Sequence, residues 1–204
     1  MSISNNWNLS LPTGTAGKPT VIEPPVSKYT DVNFYPVGGT VVFKAPCNGV
    51  TTPNSTYPRC ELRELVAGKL AAWDISKGTH VMTYTASCDH LPKNKPQLVM
   101  GQVHGANDDV FEIRFTGPKL EVIHNAKVYG TLLTSYVLGT FITIKATCEK
   151  GTVKIECGKA SVNFKANSKG CYFKVGCYVQ SNGSHGDALD YGQVSLKSVN
   201  VVHH

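Results

Sequence analysis

The sequence lacks several features that would point to common classes of protein. It has no apolar run of membrane-spanning length, no arginine-rich run, no basic helix and no zinc-finger spacing. Charged side chains make up only 17% of the 204 residues, and helical periodicity is nearly absent. We therefore expect neither a membrane nor a nucleic acid as partner, and we expect few helices.

The seven cysteines include no Cys-x-x-Cys pair, which argues against a structural zinc site and a thioredoxin-type redox centre. Because their number is odd, at least one thiol stays unpaired unless it bonds another chain. Cys47 and Cys60 flank a loop rich in Asn, Thr and Pro, and we predict a disulfide across that loop. The alternative is that most of the seven cysteines are small, buried, apolar residues.

The net charge is +6, from 20 Lys and Arg against 14 Asp and Glu, and the pI is about 8.9. An excess of positive charge favours an anionic partner, such as a nucleic acid, an acidic polysaccharide or a membrane surface. The basic residues are scattered singly along the chain. This distribution indicates a basic cleft for a polyanion rather than an element that reads DNA.

Alternation of apolar and polar residues with a period of two dominates the chain and predicts β-strands. Turn signals separate the strands, among them Gly38-Gly39 and Lys150-Gly151. About ten short strands with such turns predict an all-β sandwich of two antiparallel sheets, a jelly roll, in a single domain spanning 1–204. The predicted strands are 40–44, 59–66, 81–88, 97–104, 110–115, 120–124, 141–148, 152–157, 171–180 and 193–202.

Three of these strands carry an unusual set of side chains on one face. The shared face carries Arg59, Glu61 and Arg63 in the first, Gln102 and His104 in the second, and Tyr172, Lys174, Gly176, Tyr178 and Gln180 in the third. Each strand alone has a simpler explanation: solvated ion pairs, a surface histidine, or cross-strand pairs. If the strands lie side by side, the cations can pair with carboxylates, the amides can bind hydroxyls and the rings can stack on sugars. The combination indicates a surface for a chain of acidic sugars.

These three segments resemble polysaccharide lyase family 7, the alginate lyases. Segments 59–64 (RCELRE), 102–104 (QVH) and 172–180 (YFKVGCYVQ) match the family blocks R-x-E-L-R, Q-[IV]-H and Y-F-K-A-G-x-Y-x-Q, in family order. Residues 7–12 are similar to the family's first strand, so the resemblance spans nearly the whole chain. Val175 in place of the usual Ala, together with Cys60 and Cys177, departs from the pattern, but these residues are in the core-facing register.

The resemblance implies a concave substrate cleft and a lyase that breaks the 4-O-glycosidic bond of alginate by β-elimination, leaving unsaturated uronate ends. Arg59, Gln102 and His104 are expected around the carboxylate of the central sugar, with His104 as a donor or as the base. Tyr178 is expected near C5 and O4, as the acid. Glu61 is expected to orient the arginines. The residues expected to bind neighbouring sugars are Arg63, Tyr172, Lys174 and Gln180.

The resemblance also implies a substrate preference. In mannuronate the C5 proton and O4 lie on the same face, so Tyr178 alone could remove the proton and return it. In guluronate they lie on opposite faces, which requires His104 as base and Tyr178 as acid. Within the family, Val rather than Ile in the Q-x-H block tends to accompany a mannuronate preference, and Val103 therefore favours poly-mannuronate.

No metal or other cofactor is expected, because Arg59 supplies the neutralising charge and no acidic cluster resembles a calcium loop. The first residues lack the basic start and apolar stretch of a signal peptide. Either the protein is intracellular or a signal has already been removed, and we expect the second, the mature form of a secreted protein. The partner is expected to be an acidic polysaccharide, and the protein a monomer.

Two other functions stay open from the residues alone. One is a lyase for another uronan such as glucuronan, and the other is a non-catalytic polyuronate-binding module with the same fold. A binding module would have no use for His104 and Tyr178 placed together. A retaining glycosidase would need two close carboxylates, whereas Glu61 and Glu64 fall on opposite faces of their strand.

Overall fold

The computed structural model describes residues 3–204, which fold into two packed antiparallel sheets. Two single-turn 3-10 helices occur in this range, at Val26–Lys28 and Gly183–His185. The strands are β1 Trp7–Thr15, β2 Lys18–Ile22, β3 Phe34–Val37, β4 Thr40–Pro46, β5 Arg59–Val66, β6 Lys69–Leu70, β7 Thr79–His90, β8 Gln97–His104, β9 Asp109–Thr116, β10 Lys119–His124, β11 Lys127–Leu133, β12 Ile142–Glu149, β13 Thr152–Cys157, β14 Ala160–Lys165, β15 Tyr172–Val179 and β16 Tyr191–His203.

The larger sheet has nine strands and the smaller sheet has seven. The larger sheet runs in the order β11-β10-β9-β8-β15-β5-β1-β2, with β6 paired to β5, and the smaller runs β14-β13-β12-β7-β16-β4-β3. This arrangement confirms the predicted two-sheet sandwich. All ten predicted strands are present, and 59–66, 97–104 and 152–157 have the predicted bounds. None of the helices described in 3–204 is long and apolar enough to cross a membrane.

The predicted hairpin at Lys150-Gly151 is confirmed. Both residues have positive φ, 46° and 77°, as a tight turn between twisted antiparallel strands requires. The hairpin pairs Ala146 with Ile155 and Cys148 with Val153. Because these side chains are fully buried, the hairpin is held by its apolar face.

The core lies between the two sheets, and alternation on β15 shows how it forms. Phe173, Val175, Cys177 and Val179 are all fully buried on the inner face of this strand. Burying a side chain of this kind stabilises the fold by roughly 1.5–3 kcal/mol. The intervening residues of β15 are thereby fixed on the outer face of the larger sheet.

Gly176 allows β15 to lie against β5 at the middle of this face. Its φ is +148°, and a Cβ at this position would lie 2.5 Å from the carbonyl oxygen of Cys60. Only glycine fits such a close approach of two backbones. The pairing of β15 with β8 is irregular between Val175 and Tyr178, while alternation along β15 continues through Tyr178 and keeps it on the outer face.

The predicted disulfide between Cys47 and Cys60 is wrong, since all seven cysteines are unpaired and buried. Cys60 lies on the inner face of β5, where its thiol donates to the carbonyl oxygen of Asn33 at 3.3 Å. Burial raises the pKa of the Cys60 thiol well above its ordinary value, which keeps it neutral. The alternative, that the cysteines serve as small apolar residues, therefore describes them correctly.

Glu64 anchors one end of the sandwich. As predicted, it faces away from Glu61, and it is almost fully buried. Its carboxylate accepts hydrogen bonds from the indole of Trp73 at 3.0 Å and from the backbone N–H of Phe173 at 2.9 Å, and it contacts Nε2 of His203 at 2.5 Å. One carboxylate thus joins β15, β16 and the segment after β6. His203, to which the sequence assigned no function, has a structural contact here.

Candidate active site

The three strands with unusual faces are neighbours in the larger sheet, in the order β8-β15-β5. The register opposes Tyr178 to Arg59 and Lys174 to Arg63 across β15 and β5. On the other side of β15, Tyr172 is opposite His104 and Lys174 is opposite Gln102. The side chains singled out from the sequence therefore lie on adjacent strands of one sheet face.

A cleft of about 470 Å³ lies over this face. Seven of the nine predicted site residues line it, together with loop residues 52–55 and 106–108 and with Asp109 and Glu112 of β9. The seven are Arg59, Arg63, Gln102, His104, Tyr172, Lys174 and Tyr178. Glu61 lies beneath the floor of the cleft, where it is fully buried. Gln180 follows the end of β15 and does not line the cleft.

Glu61 organises the floor of the cleft. Its carboxylate lies 2.5 Å from Nζ of Lys174 and 3.5 Å from Nη1 of Arg59, and it accepts a hydrogen bond from the side-chain amide of Gln102 at 2.7 Å. Burial alone would raise the pKa of Glu61, but the charges of Lys174 and Arg59 and the hydrogen bonds outweigh burial and hold the pKa below its ordinary value. Glu61 is therefore an anion that fixes three cleft residues.

The structure gives the two arginines different partners. Glu61 was expected to orient both, but it contacts only Arg59. The guanidinium of Arg63 lies over the ring of Tyr172, 4.0 Å from its centroid. That of Arg59 also lies over a ring, 3.7 Å from the centroid of Tyr178. Each guanidinium thus lies over an aromatic ring, on which a planar guanidinium can stack and a lysine ammonium cannot.

Lys174 is buried, with only 6% of its surface exposed. Burial lowers the pKa of Lys174 to about 8, with the attraction of Glu61 opposing this effect and the charge of Arg59 adding to it. Because its ammonium is bound to Glu61, it contributes less free positive charge to the cleft than Arg59 and Arg63 do.

His104 has a geometry suited to accepting a proton. Its Nδ1 lies 2.7 Å from the carbonyl oxygen of Gly105, so Nδ1 carries the hydrogen and donates it. Burial lowers the pKa of His104, the Gly105 hydrogen bond opposes this, and the charges of Lys174 and Arg59 lower it further. The ring stacks on Tyr172 with centroids 5.3 Å apart. A neutral His104 in this tautomer has its free lone pair on Nε2.

Tyr178 is half-buried beside the loop between β4 and β5. Its hydroxyl lies 3.0 Å from Oγ of Ser55. The sequence offered no signal for Ser55, because a loop has no periodicity from which a side chain's direction follows. The same applies to Asn107 and Asp108 of the loop before β9, and Asp109, the first residue of β9, also lines the cleft.

Glu112 was also missed, although alternation in β9 places it on the cleft face. Burial raises the pKa of Glu112 to about 7, and the nearby charge of Asp109 acts in the same direction. Glu112 is opposite Gln102 in the pairing of β8 and β9. The cleft is therefore basic over β5 and β15 and acidic over β9.

Across residues 3–204, no group of three or more His, Cys, Asp or Glu side chains is arranged to hold a metal ion. The chemistry that the cleft offers from its own side chains consists of fixed positive charge, amide donors, a histidine lone pair and a phenolic hydroxyl. This combination suits removal of a proton next to a carboxylate.

Comparison with known proteins gives one consistent result. The family model described as alginate lyase matches residues 1–203. Alginate lyase AlgAT5 from polysaccharide lyase family 7 is 38% identical, with a TM-score of 0.92, covering 98% of this chain and 95% of that chain. An alginate lyase from Corynebacterium sp. is 34% identical, with the same TM-score and the same coverage.

A third structure is a double variant of the family 7 alginate lyase A1-II' in complex with substrate (GGMG). It is 25% identical, with a TM-score of 0.80, covering 98% of this chain and 93% of that chain. A search among curated proteins found no match. Because the family model covers all but the last residue, and a solved relative is 38% identical over nearly its whole length, this chain belongs to the alginate lyase family.

Proposed function

We propose that this chain cleaves the 4-O-glycosidic bond of alginate by β-elimination, with a preference for poly-mannuronate. One observation carries the proposal: the Nδ1 hydrogen of His104 is held by a carbonyl, and Tyr178 lines the same cleft beside Arg59 and Gln102. A module that only binds polyuronate needs the cations and the amide. It has no use for a free histidine lone pair and a phenolic hydroxyl at the same place.

The reaction removes the proton on C5 of a uronate and expels the oxygen on C4. The C5–H and C4–O4 bonds break, a C4–C5 double bond forms, the proton passes to a base, and O4 receives a proton. The difficulty is that loss of the C5 proton next to a carboxylate creates a dianion. The site must neutralise that carboxylate before the base can act.

In this proposal Arg59 neutralises the carboxylate and Gln102 donates a hydrogen bond to it. Arg59 is held by Glu61 and by the ring of Tyr178, so its guanidinium is oriented before substrate arrives. Gln102 donates one amide hydrogen to Glu61, which leaves the second hydrogen for the substrate. Fixed donors of this kind stabilise the developing charge without having to reorganise.

The choice of base depends on the sugar. With mannuronate, Tyr178 takes the C5 proton and returns a proton to O4 on the same face. With guluronate, Nε2 of His104 takes the proton and Tyr178 protonates O4 from the other face. The structure of the A1-II' double variant in complex with substrate (GGMG) supports the proposal that a cleft of this family accepts a sugar chain of mixed sequence.

The mannuronate preference depends on Val103. This residue is fully buried on the inner face of β8, so it cannot touch the substrate. Its effect would pass through the positions of Gln102 and His104, which flank it on the outer face. Arg63, Tyr172 and Lys174 bind neighbouring sugars in this proposal. Glu61 acts through Lys174, Arg59 and Gln102, which it contacts. Gln180 binds sugar only where a chain extends past β15. We also propose that the protein is secreted and monomeric.

The test is ultraviolet absorbance with poly-mannuronate, poly-guluronate and glucuronan supplied separately. The product double bond is conjugated to the carboxylate and absorbs where intact polymer does not. Wild type and Tyr129→Phe should both produce the absorbance, fastest on poly-mannuronate, because Tyr129 is exposed and lies outside the cleft. Tyr178→Phe should abolish it.

Each of the other outcomes would either support one of the two alternative functions or contradict the role of Tyr178. Fastest elimination on glucuronan would make the protein a lyase for a different uronan. Binding of these polymers by wild type without any absorbance would leave a polyuronate-binding module. Equal loss in Tyr178→Phe and Tyr129→Phe would contradict the role given to Tyr178.

A further inference from the structure

Ser55 makes a polar contact with the Tyr178 hydroxyl. Its Oγ lies 3.0 Å from the phenolic oxygen, although the two residues are 123 positions apart in the chain. Oγ also donates to the carbonyl oxygen of Tyr57 at 3.1 Å and accepts from the backbone N–H of Tyr57 at 3.1 Å. Ser55 therefore lies between the backbone of its own loop and the proposed acid and base of the reaction.

Counting hydrogens assigns a direction to the contact. A serine hydroxyl has one hydrogen and two lone pairs. The carbonyl of Tyr57 can only accept, so it takes the Ser55 hydrogen, and the Tyr57 N–H occupies one lone pair. The remaining lone pair accepts the hydrogen of Tyr178. In the resting enzyme the phenol is therefore the donor, and its own lone pairs are free for the cleft.

The Ser55 hydroxyl can also bind Tyr178 when Tyr178 is deprotonated. When Tyr178 has given up its hydrogen, rotation about the Cβ–Oγ bond of Ser55 turns the serine hydrogen from the Tyr57 carbonyl to the phenolate oxygen. Hydrogen bonds to charged groups are stronger than those between neutral groups. Ser55 can therefore form a hydrogen bond with Tyr178 in both protonation states, and the bond to the phenolate is the stronger one.

The loop that carries Ser55 is fixed at two other points. The side-chain amide of Asn182 donates to the carbonyl oxygen of Thr56 at 3.0 Å. Nζ of Lys95 donates to the hydroxyl of Tyr57 at 2.8 Å. Because both contacts lie within two residues after Ser55, they hold its Oγ in place before substrate arrives.

We propose that Ser55 is a positioning residue that holds the Tyr178 hydroxyl, accepting its hydrogen at rest and donating to the phenolate when Tyr178 acts as base. The inference rests on the proposed function, in which Tyr178 exchanges protons with the sugar. Ser55 itself neither takes the C5 proton nor protonates O4.

The kinetic test compares Ser55→Ala, Ser55→Thr and the control Asn182→Ala, which loosens the same loop without touching Tyr178. Ser55→Ala should lower kcat on poly-mannuronate about three- to tenfold, the value of one hydrogen bond, with KM changed less than about twofold. Ser55→Thr keeps the hydroxyl and should restore most of kcat. Asn182→Ala should keep kcat within about twofold of wild type.

A second readout needs no turnover. The Cζ carbon resonance of Tyr178, assigned by its absence in Tyr178→Phe, should move in Ser55→Ala and stay in place in Ser55→Thr and Asn182→Ala. If wild type cleaves a uronan by elimination but the Tyr178 resonance does not move in Ser55→Ala, the inference about Ser55 is overturned while the proposed function stands. A kcat of Ser55→Ala within about twofold of wild type would overturn it as well. If wild type eliminates no uronan, the proposed function falls, whatever the resonance shows.

Discussion

Replacing Glu61 by Gln should destabilise the protein strongly, because it leaves the Lys174 ammonium buried without its counter-charge. Glu61 is fully buried, and Nζ of Lys174 lies 2.5 Å from its carboxylate. Removing one partner of a buried ion pair costs about 3–5 kcal/mol. Gln has nearly the same size as Glu and can still accept the hydrogen bond from Gln102, so the loss reports the missing charge.

The deficit of Glu61→Gln relative to wild type should shrink as the pH is raised towards about 8 and then stay level. Burial lowers the pKa of Lys174 to about 8 although Glu61 opposes the effect, so without Glu61 the pKa falls further. Between the lower pKa of the variant and about 8, the folded variant has released the Lys174 proton, while folded wild type and both unfolded chains still bind it. The stability of the variant therefore rises with pH in this window and that of wild type does not, whereas above about 8 both rise together.

Urea unfolding followed by tryptophan fluorescence measures the effect. The matched control is Glu156→Gln, which breaks the pair with Lys154 at 2.6 Å, where the side chains are 32% and 46% exposed. A surface pair of this kind contributes about 0–1 kcal/mol. The double variant Glu61→Gln with Lys174→Met should recover stability relative to Glu61→Gln. The reasoning is refuted if Glu61→Gln loses no more stability than Glu156→Gln, or if the double variant is the less stable.

Three further predictions concern pH, stability and metal. Burial raises the pKa of Glu112 to about 7, so KM for alginate at low salt should rise as the pH passes through about 7 and the carboxylate begins to repel uronates. Glu112→Gln should flatten that rise, and an unchanged KM profile would contradict the effect. Glu64→Gln should lower the free energy of unfolding in urea by about 1–3 kcal/mol, because an amide cannot replace the carboxylate between Trp73, Phe173 and His203. A loss no larger than that of Glu156→Gln would count against it. Elimination should proceed at the same rate in EDTA, since Arg59 supplies the neutralising charge, whereas a loss restored by adding a divalent cation would contradict this role.

Alternation was sufficient to predict most of the strands that form the core. Some of the strands it missed are short or mostly exposed: β6 has two residues, and β11 buries one side chain of seven. These two strands are defined by their pairing with a neighbour. β1 is different, because it buries Trp7, Leu9 and Leu11, and only the family resemblance of residues 7–12 indicated a strand there. The fold class followed from the buried strands, while the full extent of each sheet did not.

The site was predictable where it lies on strands and unpredictable where it lies on loops. Because side chains alternate with a period of two, the faces of β5, β8 and β15 could be assigned once the strands were known. Ser55 and Asp109 reach the cleft at loops or strand ends, where no such rule holds. The Cys47–Cys60 prediction failed for a related reason: the loop between them suggested a bridge, whereas alternation in β5 already placed Cys60 towards the core.

Two opposing requirements act on the positive charge of the cleft. It needs cations to neutralise uronate carboxylates, yet Arg59, Arg63 and Lys174 lie on adjacent strands and repel one another. Glu61 beneath them binds Lys174 and contacts Arg59, so one of the three charges is compensated and two remain for the substrate. The same carboxylate holds the Gln102 amide, so the donors that meet the substrate are fixed in advance. Glu61 should therefore affect kcat as strongly as residues that touch the sugar, although it is sealed beneath the floor of the cleft.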